Sequence, residues 1–168
     1  MPRVTVDIET SRGKIPLQEA LKDPRPILES AARKLVALIK LGFKTSTAPD
    51  GSKWLPLKLR TGQPLRDRGL LVNSITTQRG ADFIDIGTSR VGARVHQFGA
   101  TIVPVRAKML RFFAKGSKVP IFRKSVTIPA RPFFPLDAGG NMQLPGAWQK
   151  SFLDVVRQRL EGKTGGSE

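Results

Sequence analysis

The sequence has 168 residues, about the size of one domain, and its 39% hydrophobic and 25% charged residues are typical of a folded globular protein. It has no cysteine, which excludes disulfides and thiolate metal sites, and no apolar run long enough to span a membrane. The net charge is +16, and residues 31–80 and 81–135 each carry ten basic and two acidic residues, whereas both ends are neutral. This distribution favours contact with nucleic acid or with a strongly acidic protein.

The N-terminal part of the chain predicts one long helix. Val4–Ile8 alternates in the manner of a strand, and Ile15–Leu21 is compatible with a short helix. Asp23 can then cap a helix whose first position is Pro24, where the missing N–H costs nothing. The apolar residues that follow recur at helical spacing, so we expect an amphipathic helix over Pro24–Leu41, the longest in the chain.

Short elements joined by turns are predicted for the middle of the chain. Glycine-containing segments separate its brief apolar runs, a pattern typical of hairpins and single helical turns. In order, we expect helical turns within Gly69–Ile75, paired strands at Ile75–Gln78 and Phe83–Ile86, and a short helix over Val91–Phe98 that ends at Gly99.

A basic hairpin is predicted next, from Met109–Ala114 and Val119–Ile128, with a flexible tip at residues 115–118. Its cations are Lys108, Arg111, Lys115, Lys118, Arg123 and Lys124. No acidic residue lies among them, so we expect this hairpin to contact DNA or an acidic neighbouring protein. It is the predicted functional site.

The C-terminal part predicts a second amphipathic helix, over Pro145–Leu160, after a proline-rich connector at residues 129–132. Residues 161–168 are rich in Gly and predict a flexible tail. The expected fold is a single α+β domain over residues 1–160. It comprises the long N-terminal amphipathic helix, a small antiparallel sheet with hairpins, and the C-terminal helix packed on that sheet.

The sequence contains no recognisable set of catalytic residues. His96 is the only histidine, and no nucleophile-elbow Gly-x-Ser-x-Gly, Walker loop or dinucleotide-binding turn occurs. The acidic residues between 31 and 135 are scattered and predict no paired carboxylates. We therefore expect neither an enzyme nor a bound metal or other cofactor. No zinc-finger spacing or aromatic RNA-binding strand appears, which argues against a sequence-specific reader of nucleic acid.

Four blocks occur along the chain in a characteristic order. They are a Pro-Asp-Gly turn with a tryptophan (Pro49, Asp50, Gly51, Trp54), the stretch Leu65–Ile75, a His-Gln-Phe-Gly run (His96, Gln97, Phe98, Gly99), and Ile128–Phe134, which contains Arg131. Together they resemble the phage virion morphogenesis family, the tail-completion proteins of Mu-like and related tailed phages. The resemblance extends from the long helix to the last one.

That resemblance implies a structural protein of the virion, assembled in the host cytoplasm and located at the neck or tail end. It implies a homo-oligomeric, hexameric ring around the DNA channel that joins head and tail. Its neighbours would be neck or connector proteins and tail-tube or tail-terminator proteins, with non-specific contact to genomic DNA and no membrane. The alternative is a basic protein that binds nucleic acid non-specifically as a monomer or dimer, which a steep dependence of DNA binding on salt would reveal.

The blocks have a physical interpretation that needs no chemistry. The Pro-Asp-Gly turn is tight, and Trp54 would anchor its loop by burying a large apolar area. His96 and Gln97 would cap or bridge nearby strands, and Phe98 would pack before Gly99 ends the segment. Arg131 would pair with a carboxylate, either within the fold or across a subunit interface.

Overall fold

The computed structural model describes residues 23–58, 61–80, 83–114 and 116–162. The helices are α1 (Arg25–Thr45), α2 (Leu70–Asn73), α3 (Ala93–Phe98) and α4 (Gly146–Gly162); the strands are β1 (Ile75–Arg79), β2 (Ile84–Thr88), β3 (Ala100–Ile102), β4 (Leu110–Phe113), β5 (Pro120–Arg123) and β6 (Val126–Ile128). The α+β class is confirmed. The strand expected at Val4–Ile8 and the helix expected at Ile15–Leu21 lie outside the described residues.

Helix α1 is the central element of the molecule. Pro24 is its N-cap residue rather than its first helical residue, and the helix runs four residues beyond the predicted end, to Thr45. Ser46 then takes a left-handed conformation and donates its backbone N–H to the Gly42 carbonyl, which ends the helix. The side chains that α1 buries follow helical spacing: Ala31, Ala32, Leu35, Ile39 and Phe43.

Helix α4 packs mainly along α1, and it shares one hydrophobic core with the strands β1 and β2. Phe152 and Val156 of α4 are buried in the same core as the apolar side of α1. A 17-residue helix is about 25 Å long and needs an apolar partner of comparable length. Helix α1 offers one, whereas the longest strands here have five residues, about 17 Å. Helix α4 also continues two residues beyond the predicted end.

The strands form three separate two-stranded antiparallel sheets rather than one small sheet. Strands β1 and β2 form the predicted hairpin, with Ile75 opposite Thr88, and pack against α1 through the buried Ile84 and Ile86. Strands β4 and β5 pair with each other, and β3 pairs with β6.

The single strand predicted over Val119–Ile128 is wrong, because the segment divides at Lys124 and Ser125. Its first part, β5, pairs with β4, and its second part, β6, pairs with β3. Both parts contain apolar residues, and the local sequence pattern does not specify which partner a strand takes. The predicted hairpin therefore consists of only four residues on each side.

Candidate functional site

The predicted basic hairpin projects from the body of the protein as an arm, formed by β4, β5 and the turn between them. Each strand has its main contacts with the other, and neither packs closely on a helix. None of the arm's side chains belongs to the hydrophobic core of the described residues. The arm is therefore held by its ends and by its own hydrogen bonds, and its side chains are presented to solvent or to a partner.

The register gives the arm two distinct faces. Phe112 lies opposite Ile121, and Leu110 lies opposite Arg123, so these residues share the inner face. Phe112 and Ile121 are half-buried there. They line one wall of an apolar groove of about 770 Å³, whose other wall includes Leu55. The groove separates the arm from the body.

The outer face carries aromatic rings and a guanidinium. Arg111 lies opposite Phe122, and Phe113 lies opposite Pro120. The Phe113 and Phe122 side chains are 51% and 48% exposed. The Arg111 guanidinium carbon lies 5.3 Å from the centre of the Phe113 ring, a cation–π arrangement. Both faces of the arm thus combine apolar groups with positive charge.

The structure brings most of the predicted basic residues to this arm without burying any of them. The exposed ones are Lys108, Arg111, Lys118, Arg123 and Lys124, and Lys115 lies outside the described residues. Arg123 borders the groove and donates a hydrogen bond from its guanidinium to the Phe122 carbonyl at 2.9 Å. The cluster is a charged surface of the kind that binds a polyanion or an acidic protein.

Three of the four family-like blocks meet at a second place, in the body, where loop 46–56, helix α3 and residues 131–134 come together. We call this the motif cluster. Arg131 is 6% exposed, and its guanidinium donates to the carbonyls of Leu55 (2.9 Å) and Pro56 (3.1 Å). Its backbone N–H donates to the His96 carbonyl at 2.7 Å. Arg131 therefore ties three distant segments together through backbone carbonyls.

Gln97 makes three hydrogen bonds to the backbone of the motif cluster. It is 4% exposed, and its Oε1 accepts hydrogen bonds from the backbone N–H groups of Phe133 and Phe134, both at 3.0 Å. Its Nε2 donates to the Phe134 carbonyl at 2.9 Å. One side chain thus satisfies three buried backbone groups of an irregular segment, rather than groups of the nearby strands that the sequence predicted it to cap or bridge.

Trp54 anchors the same segment from the other side. Its Nε1 donates to the Pro132 carbonyl at 2.8 Å, and its ring packs edge-on against Phe43 of α1, with centroids 5.4 Å apart. Phe43 also contacts the Phe133 ring at 5.3 Å. The aromatic cluster joins the long helix to the proline-rich connector, which the sequence alone did not indicate.

The loop that presents Trp54 is folded by its own turn. The Gly51 N–H donates to the Ala48 carbonyl at 2.9 Å across Pro49-Asp50, and Gly51 takes a φ of 87°. The Asp50 carboxylate accepts hydrogen bonds from the Ser52 hydroxyl (2.7 Å) and N–H (2.9 Å), and these bonds lower its pKa. The predicted tight turn is present.

Gly99 has a steric reason for its place after α3. Its φ is 74°, and a Cβ at this position would lie 2.9 Å from the Ala130 nitrogen and 3.1 Å from the Ile128 oxygen. Only glycine permits the connector to approach this closely. Phe98, the residue before it, is partly exposed rather than packed in the core, and the Arg94 guanidinium lies 5.6 Å from its ring centre.

His96 is half-buried beside the guanidinium of Arg131. Burial lowers its pKa below the usual value, and the positive charge of Arg131 lowers the pKa further. Its Nδ1 is buried without a hydrogen-bond partner among the described residues. The ring borders a cleft of about 440 Å³ that is also lined by Asp67, Arg68 and Arg90. Neutral His96 is therefore the form that this site accommodates.

Sequence reasoning missed the exposure of the arm's phenylalanines. Of the two adjacent phenylalanines on β4, only Phe112 turns towards the groove, whereas Phe113 is exposed. The sequence does contain a signal for this exposure. Successive residues of a strand point to opposite faces, so one of two adjacent phenylalanines must face outward in a ribbon that packs on one side only.

Among the described residues, no three histidine or acidic side chains lie close enough together to hold a metal ion. No described helix is long and apolar enough to cross a membrane.

The fold and the motif cluster define a structural protein whose family-like blocks hold the chain together, and comparison with known proteins agrees. Residues 9–160 match the phage virion morphogenesis family. The chain belongs to that family. It is thus a bacteriophage structural or assembly protein associated with the virion, and the family is structural rather than enzymatic.

Two curated relatives extend the match. "Mu-like prophage FluMu G protein 2" of Haemophilus influenzae is 30% identical over 117 residues, which cover 70% of each chain. "Putative capsid assembly protein G" of Escherichia phage Mu is 26% identical over 169 residues, which cover 92% of this chain and 97% of that protein. No solved structure matches the fold.

Proposed function

We propose that this protein is a neck or tail-completion subunit that forms a closed, hexameric homo-oligomeric ring around the DNA channel and joins the head to the tail. The observation that carries the proposal is the basic arm, which projects from a body that the motif cluster ties together. A cyclic ring needs two different faces of each subunit to meet. In the ring, the arm would either line the channel or reach a neighbouring connector, tail-tube or tail-terminator protein.

Removing the arm's charge tests this proposal. Replacing Arg111, Lys115, Lys118 and Lys124 with Gln removes four cations, and the described ones among them, Arg111, Lys118 and Lys124, contribute nothing to the core. We expect fewer joined, infectious particles, with free heads and tails accumulating, while the melting temperature of the isolated protein stays unchanged. Particle counts by electron microscopy and plaque titres measure the outcome.

A charge-matched control separates this effect from a change in net charge. Lys40, Lys44, Lys150 and Arg157 are exposed on α1 and α4, away from the arm, and their replacement with Gln removes the same four charges. We expect normal particle yield from this control. Normal yield from the arm variant as well would count against the proposal.

The second candidate function is non-specific binding of nucleic acid by a monomer or dimer, which the +16 net charge favours. Imaging of intact virions and DNA binding at graded salt concentrations discriminate between the two. A ring at the neck of the particle, with weak DNA binding by the isolated chain, supports the first. Tight, steeply salt-dependent DNA binding by the isolated chain, without such a ring, supports the second.

A further inference from the structure

The region around the arm concentrates exposed apolar side chains as well as charge. Of the thirteen large hydrophobic side chains that are exposed in the described part of the chain, seven lie between Ile102 and Phe122. On the arm, Val119 is 71% exposed, and Phe113 and Phe122 share the outer face diagonally across the two strands. An apolar concentration of this kind marks a surface that a partner covers.

The charged residues of the same region are all basic. Residues 86–136 contain ten basic residues and no Asp or Glu. The outer face therefore offers aromatic rings next to guanidinium and ammonium groups. Its complement is a surface that is both apolar and negatively charged.

Double-stranded DNA meets only half of this requirement. Its backbone presents phosphates for Arg111 and Lys118, but the apolar faces of its bases are buried in the stack, so Phe113 and Phe122 could reach them only at the cost of unstacking base pairs. Two phenylalanines that stay in water gain nothing from such a contact. A protein surface with an apolar strip and carboxylates around it satisfies both the rings and the cations.

A second copy of this chain is also a poor complement to the arm. Two copies of a chain with net charge +16 repel each other. The described carboxylates of Asp23 and Glu29 are already ion-paired with arginines of their own chain, Asp23 with Arg25 and Glu29 with Arg33 and Arg79. These two carboxylates are therefore already neutralised by arginines of their own chain.

We propose that the outer face of the arm docks onto a different protein of the particle, one whose surface carries an apolar strip bordered by carboxylates. This inference rests on the proposed function and names the partner class of the arm. Phe113 and Phe122 supply the buried contact, and Arg111 and Lys118 supply the charge match. The arm is in this view a protein-docking element and not a lining of the DNA channel.

Site-specific photocrosslinking tests the proposal in the full-length protein. Phe113→p-benzoylphenylalanine and Phe122→p-benzoylphenylalanine keep an aromatic ring at each position and are made in phage-producing cells. We expect irradiation to join each variant to one acidic structural protein of the phage, identified by mass spectrometry. The same probe at Leu153, an exposed position on α4, should give no such adduct. Adducts only with DNA, adducts with a second copy of this chain, or no adduct at either position would overturn the proposal.

A polar double variant gives an independent measurement. Phe113→Thr with Phe122→Thr keeps residues that favour strands and removes both rings, while Leu153→Thr is the control for loss of an exposed apolar group. Because loss of a central anchor commonly weakens an interface by tenfold or more, we expect the infectious yield of the double variant to fall at least about tenfold. The control should be unaffected, and both proteins should keep the parental melting temperature. Unchanged yield from the double variant overturns the docking.

The outcomes distinguish this inference from the function on which it rests. A ring at the neck, with no protein adduct from the arm, overturns the docking and leaves the proposed function standing. An acidic protein adduct in particles whose neck lacks this chain overturns the proposed function and leaves the docking standing.

Discussion

Arg131 and Gln97 are polar residues that the body buries for their hydrogen bonds. Between them they engage the carbonyls of Leu55, Pro56 and Phe134 and two backbone N–H groups. An irregular connector carries backbone groups that no helix or sheet satisfies, and burying such groups unpaired is costly. These two side chains allow residues 131–134 to pass through the interior without regular secondary structure.

Gln97→Leu should lower the free energy of unfolding by about 3 kcal/mol, because it leaves three buried backbone groups without a partner. Urea denaturation monitored by circular dichroism measures the loss. Gln78→Leu, on the exposed side of β1, is the matched control and should change stability by less than about 0.5 kcal/mol. Equal losses for the two variants would show that the Gln97 bonds do not stabilise the fold.

His96 should make stability depend on pH. Its pKa is lower in the folded protein than in the unfolded chain, so the unfolded chain takes up a proton first as the pH falls. The contribution of His96 to the free energy of unfolding is therefore at its maximum above the ordinary histidine pKa of about 6.5. It decreases as the pH falls from there towards the lowered pKa.

Denaturation at pH 7.5 and pH 5.5, compared between the parent chain and His96→Gln, tests this dependence. We expect the parent to lose more stability across the interval than the variant. The chosen pH values stay above the usual range of about 4 for carboxyl groups, whose titration would otherwise contribute. Identical losses in the two proteins would exclude His96 as the source.

At the scale of elements, α1 and α4 form the main packing unit. Their apolar stripes supply half of the buried core residues, and β2 packs on a further part of α1. The sheets are ribbons of two strands, which are marginally stable alone. The long helix supports the β1–β2 ribbon directly, whereas the arm contributes no residue to the core and is free to adapt to a partner.

Adjacent residues on α4 test this packing. Phe152 is 6% exposed within the core, whereas Leu153 is 52% exposed. Phe152→Ala should cost about 3 kcal/mol of unfolding free energy through lost burial and the cavity left behind, while Leu153→Ala should cost less than about 1 kcal/mol. Thermal and urea denaturation of both variants would check the difference. Similar costs would indicate that α4 does not pack on α1 as described.

At the scale of the whole molecule, the charge and the core occupy different parts of the fold. The core lies between the helices, β1–β2 and the motif cluster, whereas the arm outside it carries positive charge without local compensation. In the proposed ring, copies of a +16 subunit would repel one another, and an acidic partner bound by each arm would offset that repulsion. Under that proposal, the charge serves assembly rather than the stability of the monomer.

Sequence by itself determined the two long helices, the turn at Pro49-Asp50-Gly51, the end of α3 at Gly99 and the family, because each depends on residues close together in the chain or on the order of short blocks. Tertiary structure alone decided that α4 packs on α1, that Val119–Ile128 divides between two ribbons, and that Phe113 faces outward. These outcomes depend on contacts between segments far apart in sequence, such as the Trp54–Pro132 hydrogen bond, which local periodicity does not encode.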